Sequence, residues 1–209
     1  MKRSLALLVS IVILTLFGCR GSTAKYSPDP TVVTTVMPVW VDKNFTKSEH
    51  DQIIKGLNDW QYTLNGYLRF IIVSDTYDAE KEGTTVSDKV IKNLEGLIIR
   101  STHVGDVEEI AVDPEQEGVL AWYTPEDFTI FMVEDRLEWR LFSTVFKHEV
   151  GHSLGAPHIK LLGSLMYPYY SNQGSCVDMA SAILVASAHR YENWDIKNMR
   201  YCAASLQGN

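Results

Sequence analysis

A single mixed α+β domain is the fold class predicted by this chain of 209 residues. Short β-branched apolar runs alternate with two long helical stretches, and no Gly/Pro/Ser-rich boundary interrupts the chain after residue 31. The composition, 45% hydrophobic and 11% aromatic, supplies enough apolar surface for one core and excludes a disordered chain. With 19 basic against 26 acidic side chains and a net charge of −7, no Lys/Arg-rich stripe is available to neutralise phosphates, which argues against a nucleic-acid binder.

The elements follow in order. Val32 to Val41 is β-branched and apolar and predicts a first strand. Thr46 and Glu49 have capping-box spacing, and Ile53, Leu57, Trp60 and Leu64 recur on one helical face until Asn65-Gly66 stops it. Tyr67 to Val73, Leu97 to Ser101, Val119 to Tyr123 and Phe128 to Val133 read as four further strands, the last two joined by a turn at Thr124-Pro125-Glu126-Asp127. A short helix is expected after Ser87. A long helix is expected from Glu134 through Leu154 with Leu137, Leu141 and Val145 on one stripe, and a last one from Val177 to Tyr191 carrying Val177, Ile183 and Leu184. The acidic stretch from Asp106 to Glu117 reads as a solvated loop; calcium stays open there, without a specific motif for it.

The N-terminus lies outside that domain. Lys2 and Arg3 precede an apolar run from Leu5 to Phe17 that is too short to span a bilayer comfortably, so residues 1–18 read as an export signal. Leu16-Phe17-Gly18-Cys19 resembles the lipobox of bacterial lipoproteins, which implies cleavage before Cys19, lipidation of that residue and a membrane-anchored protein; an ordinary cleaved signal and a secreted protein is the alternative. Residues 19–31 then form a linker and 32–209 the folded domain. Arg20 offers no acidic retention signal, so the outer membrane or the cell surface is the expected destination. Cys176 and Cys202 remain as an even pair in an oxidising setting, where a disulfide can form.

The chemistry is concentrated in His148-Glu149-Val150-Gly151-His152. Two imidazoles four residues apart share one helix face and can grip one ion. Catalytic zinc needs three protein ligands and an open position. Gly155 lets the helix end and the chain turn at positive φ, and that turn brings His158 back as third ligand, Ala156-Pro157 being unable to continue the helix. Glu149, rotated by about 100° from His148, falls beside the metal rather than on it and suits a general base acting on a zinc-bound water. Five fixed positions at roughly one in twenty each, over about 200 starting points, make coincidence a matter of about 10⁻⁴. A closed structural site would have no use for the carboxylate and would need a fourth Cys or His.

His148 to His158 as a whole resembles the extended zinc motif of the metzincins, closest to the matrixin (matrix metalloproteinase) catalytic domain, and Ser164-Leu165-Met166-Tyr167-Pro168-Tyr169-Tyr170 is similar to the matrixin Met-turn. The resemblance implies a twisted, mostly parallel five-stranded sheet packed on a long active-site helix, with a C-terminal helix below the zinc cleft. It implies one catalytic Zn²⁺, Met166 as an apolar floor, and Pro168, Tyr170 and Thr144 around the pocket for the side chain after the cut. It further implies that Val119 to Tyr123 is the sheet edge along which a peptide lies. The implied activity is zinc-dependent endopeptidase action on extracytoplasmic proteins, by a monomer whose partners are a protein or peptide substrate and a membrane. Competing readings are a non-catalytic zinc-containing envelope lipoprotein and a metallopeptidase acting on cell-wall peptides. Pro168 stands where astacins and serralysins carry a metal-reaching tyrosine. Matrixins also hold a structural zinc; here only His103 and Asp106 fall in that region and Trp122 replaces an expected histidine, so that site is expected to be lost, with His103, His50 and His189 as ordinary histidines. No cysteine lies between Cys19 and the first strand, so latency by a cysteine switch is not expected.

Overall fold

In the computed structural model, which describes residues 34–77, 96–105, 118–170, 174–188 and 194–202, five strands form one sheet. They are β1 (Thr35–Asp42), β2 (Leu68–Tyr77), β3 (Leu97–Thr102), β4 (Ala121–Thr124) and β5 (Thr129–Val133), in the spatial order β2-β1-β3-β5-β4. The pairs β1 with β2, β1 with β3 and β3 with β5 are parallel, and β4 alone runs antiparallel, at one end of the sheet. Among the described residues three α-helices accompany them: α1 (Lys47–Leu64), α2 (Trp139–Ser153) and α3 (Met179–Ser187). The mostly parallel five-stranded sheet with a long helix against it is the α+β architecture the sequence implied.

α1 starts where its capping box places it: the Thr46 N–H donates to Glu49 Oε2 at 2.8 Å and the Glu49 N–H to Thr46 Oγ1 at 3.4 Å. It stops at Asn65, which takes the left-handed conformation (φ 43°). Ile53, Leu57, Trp60 and Leu64 are all buried, as their spacing required. They meet Phe142, Phe146 and Val150 of α2, and both helices lie on the sheet face lined by Val39, Val41, Ile99, Ile130 and Met132. Side chains of this size contribute about 1.5–3 kcal/mol each when fully buried. Gly56 permits the close helix crossing, since a Cβ there would lie 2.6 Å from the Phe146 ring.

Several boundaries differ from expectation for local reasons. β1 runs from Thr35 and reaches Asp42, and β2 continues to Tyr77, because their pairing carries on past the apolar run, through bulges at Val39/Trp40 and Trp40/Asp42 to Asp42 opposite Tyr77. β5 starts at Thr129 rather than Phe128, whose φ of 53° makes it part of the turn. The helix expected from Glu134 is interrupted. Residues Glu134–Arg136 form a separate 3₁₀ turn, Leu137 is extended, and α2 begins at Trp139. The two acidic side chains there serve the end of β3: Ser101 Oγ donates to Glu134 Oε1 at 2.5 Å and the Val104 N–H to Asp135 Oδ2 at 3.1 Å. The buried stripe of α2 is accordingly Phe142, Phe146 and Val150 with Val145, while Leu137 and Leu141 are only partly buried on its flank. α3 is shorter than expected, beginning after its N-cap Asp178 and ending at Ala188, and it buries Ser181, Ala182 and Val185 whereas Ile183 is exposed. The expected helix after Ser87, the acidic stretch from Asp106 to Glu117, His189, and Cys19 with the export signal lie outside the described residues.

Candidate metal centre and active-site cleft

α2 ends as the chemistry requires. His148 and His152 stand one turn apart, and after Leu154 the chain turns at Gly155 (φ 93°), with the Gly155 N–H donating to His152 O and the Ala156 N–H to Gly151 O, both at 2.9 Å. A Cβ at Gly155 would lie 2.7 Å from Ala188 Cβ, so conformation and space both select glycine. The turn returns His158 to the helix face. The three Nε2 atoms then stand 3.0 Å (His148 to His152), 3.1 Å (His148 to His158) and 3.1 Å (His152 to His158) apart.

The tautomers follow from the far side of two rings. His148 Nδ1–H donates to Leu165 O at 2.6 Å and His152 Nδ1–H to Ala156 O at 2.8 Å, so both Nε2 atoms present bare lone pairs. Lone pairs at such separations repel one another, and a shared cation resolves the conflict. Burial lowers the pKa of His148, takes that of His152 down to about 4 and lowers that of His158, so all three are neutral and ready to ligate at neutral pH. The three histidines fit one zinc ion, with no fourth Cys, His, Asp or Glu joining the cluster among the described residues.

Below them lies Met166, fully buried, and the helix accommodates it through Gly151, where a Cβ would sit 2.4 Å from the Met166 sulfur. The strand of chain after the third histidine closes over the methionine by Ile159 N–H to Met166 O at 2.9 Å. Leu165, whose carbonyl holds His148, is itself held: its N–H donates to Asp178 Oδ2 at 2.7 Å. Asp178 is buried and also accepts from Ser164 Oγ, Ser181 Oγ and the N–H groups of Ala180 and Ser181. The segment leading to it is fastened twice more. Cys176 is disulfide-bonded to Cys202 with 6.4 Å between their Cα atoms, and the buried Lys147 ammonium donates to the Ser175 carbonyl and, at 3.2 Å, to Asp59. Burial lowers the pKa of that lysine.

The histidines open into a cleft of about 1000 Å³. It is lined by Leu120, Trp122 and Tyr123 at the end strand β4, by Tyr167, Pro168 and Tyr170 after the third histidine, and by Thr144, one turn before His148. Glu149 lines the same cleft, 6% exposed, and in the metal-free chain desolvation pushes its carboxyl up to about 8. A dication on the three imidazoles pulls that value back toward the ionised form. The structure thus brings together every sequence-derived ligand, Glu149, Met166, Thr144, Pro168 and Tyr170. Asp178, Leu165 O, Ala156 O and Lys147 were not anticipated; an Asp immediately before an Ala-rich helix is an N-cap signal, and that alone marked Asp178. His103 lies apart, exposed and 3.2 Å from Asp135, and Trp122 stacks on Phe131 with ring centroids 4.8 Å apart. The matrixin family profile matches residues 44–181, about two thirds of the chain. No curated protein matches it.

Proposed function

The chain belongs to the matrixins, zinc metalloendopeptidases, and from that premise we propose that Glu149 is the general base of peptide hydrolysis in an exported, membrane-anchored enzyme. The observation that carries this is the placement of Glu149 in the cleft beside three imidazoles whose Nε2 atoms converge within 3.1 Å of one another. Zinc, when bound there, acidifies a water ligand and polarises the scissile carbonyl. Glu149 takes the proton of the attacking water and passes it to the leaving amine, a role suited to a carboxylate whose desolvated setting raises its proton affinity toward neutral. β4 offers its outer edge to an extended peptide, main chain to main chain, and Pro168, Tyr170 and Thr144 bound the pocket for the side chain after the cut.

Residues 1–18 are the export signal, Cys19 the lipidation site and 19–31 the tether in this reading. The Cys176–Cys202 bridge fits an oxidising, extracytoplasmic compartment, and none of the described helices is long and apolar enough to cross a membrane. The substrates are extracytoplasmic proteins or peptides. The test is cleavage of a mixed peptide library by purified protein: chelation should abolish it and added zinc restore it. Cleavage indifferent to strong chelation overturns the reading.

A further inference from the structure

We infer that Asp178 is a positioning residue for the ligand His148 and that the Cys176–Cys202 disulfide holds it in place, so that zinc affinity depends on the oxidation state of the pair. The inference rests on the three histidines being the zinc ligands, as above. A chain of contacts carries it. His148 is oriented by Leu165 O, Leu165 N–H by the Asp178 carboxylate, and Asp178 lies two residues from Cys176. Cys202 grips that stretch from the other side: its N–H donates to Val177 O at 3.0 Å and it forms an isolated parallel bridge with Asp178. The C-terminal segment is in turn pinned to the end of α1 by Arg200 N–H to Thr63 O at 2.8 Å. Residues 174–178 have no regular ladder of their own; between Gly174, where a Cβ would lie 3.1 Å from Ser164 O, and the N-cap of α3, the disulfide is the covalent fastening.

Orientation of a ligand by a partner on its far nitrogen typically changes metal affinity ten- to a hundredfold. Cys176 is solvent-exposed, so the bridge is within reach of exchange partners. On forming, each thiol gives up one hydrogen, and the two protons and two electrons pass to the disulfide of an oxidant, whose S–S bond breaks to give two thiols. A chain still in a reducing compartment then holds zinc weakly, and export completes the site.

The experiment uses the full chain in detergent, carrying Cys19→Ser so that one thiol pair is in play. Zinc affinity is measured by competition with a chromophoric chelator, and the ligand field by the absorption spectrum of the cobalt-loaded protein. Reduction by a phosphine, and independently Cys176→Ser/Cys202→Ser, should weaken zinc binding about tenfold or more and alter the cobalt spectrum. Asp178→Asn should do the same, and combining it with the serine pair should add little, because both act through Leu165. Equal affinity in both redox states, or strictly additive effects, overturns the inference while leaving the peptidase reading intact; a chain that binds no zinc in either state overturns both. Should the serine pair fail to fold, zinc-loaded wild type is reduced instead: zinc release ahead of the loss of helical circular dichroism supports the inference, and simultaneous loss or full retention overturns it.

Discussion

Two buried carboxylates flank the same three histidines, and their surroundings are opposite. Asp178, beneath the Met-turn, is saturated by donors from Ser164, Leu165, Ala180 and Ser181. Glu149, on the cleft side, is also buried, and in the metal-free chain desolvation raises its proton affinity. A carboxylate surrounded by donors ties chain segments together and builds structure, whereas one left desolvated facing a cavity can take up and give back a proton. The same side-chain chemistry thus serves architecture on one side of the metal centre and reactivity on the other.

Replacing each carboxylate by its amide breaks the comparison most directly. Glu149→Gln should lower peptide cleavage by ~10³-fold or more, the range lost with a general base, while zinc content and melting temperature stay close to wild type. Cleavage at the wild-type rate removes Glu149 from the mechanism. Asp178→Asn should behave in the opposite sense for folding. It turns an acceptor oxygen into a donor facing donors, at a cost of about 2–3 kcal/mol, or ~4–12 °C in melting temperature for a domain of this size. A thermal scan in which Asp178→Asn melts with wild type would show that the network carries no stability.

The pH dependence of the metal-free protein sharpens the same contrast. Glu149 binds a proton in the folded chain below about 8 but in the unfolded chain only below its ordinary 4.5, so it adds stability as pH falls through that window. His152 works the other way: unfolded it charges below 6.5, folded it resists until about 4, and stability is lost as pH falls between the two, with His148 acting in the same direction. In wild type the contributions offset. In Glu149→Gln only the imidazole loss remains, so chelated Gln protein should lose about 2 kcal/mol more than wild type between pH 7 and pH 5. Thermal scans in chelator across that range measure it, and parallel curves for the two proteins would refute the assignment of Glu149 as the desolvated group.

Much of this was legible in the chain because it is local. The ligand pair sits at helical spacing, Gly155 marks the turn, and the apolar face of α1 shows at its own period, so residues a few positions apart determine them. Met166, Thr144, Pro168 and Tyr170 were reachable through resemblance to a family rather than through periodicity. What was not legible acts across the fold. The carbonyl of Leu165 and the carboxylate of Asp178 are polar groups meeting over a dozen residues or more, and Lys147 meets Asp59 and Ser175 from distant parts of the chain. No repeat announces such contacts. The break before α2 was missed for a related reason: Glu134 and Asp135 have good helix-start character, but the end of β3 competes for their oxygens and wins.

The smallest expected effect decides whether Asp178 is more than a helix cap. Thr46 caps α1 through a complete capping box, and Asp178 caps α3 through the N–H groups of Ala180 and Ser181. If capping were all that either did, losing the side chain would cost similar amounts. Thr46→Ala should cost about 1 kcal/mol, visible as a fall of ~2–4 °C in melting temperature, with zinc affinity unchanged, because nothing in that box touches the metal centre. Asp178→Asn should exceed it in stability and alone move zinc affinity, since only this cap extends to Leu165 and, through it, to His148. Equal losses in the two variants, with zinc binding intact in both, would reduce Asp178 to an ordinary N-cap and place the orientation of His148 wholly in the backbone of the Met-turn.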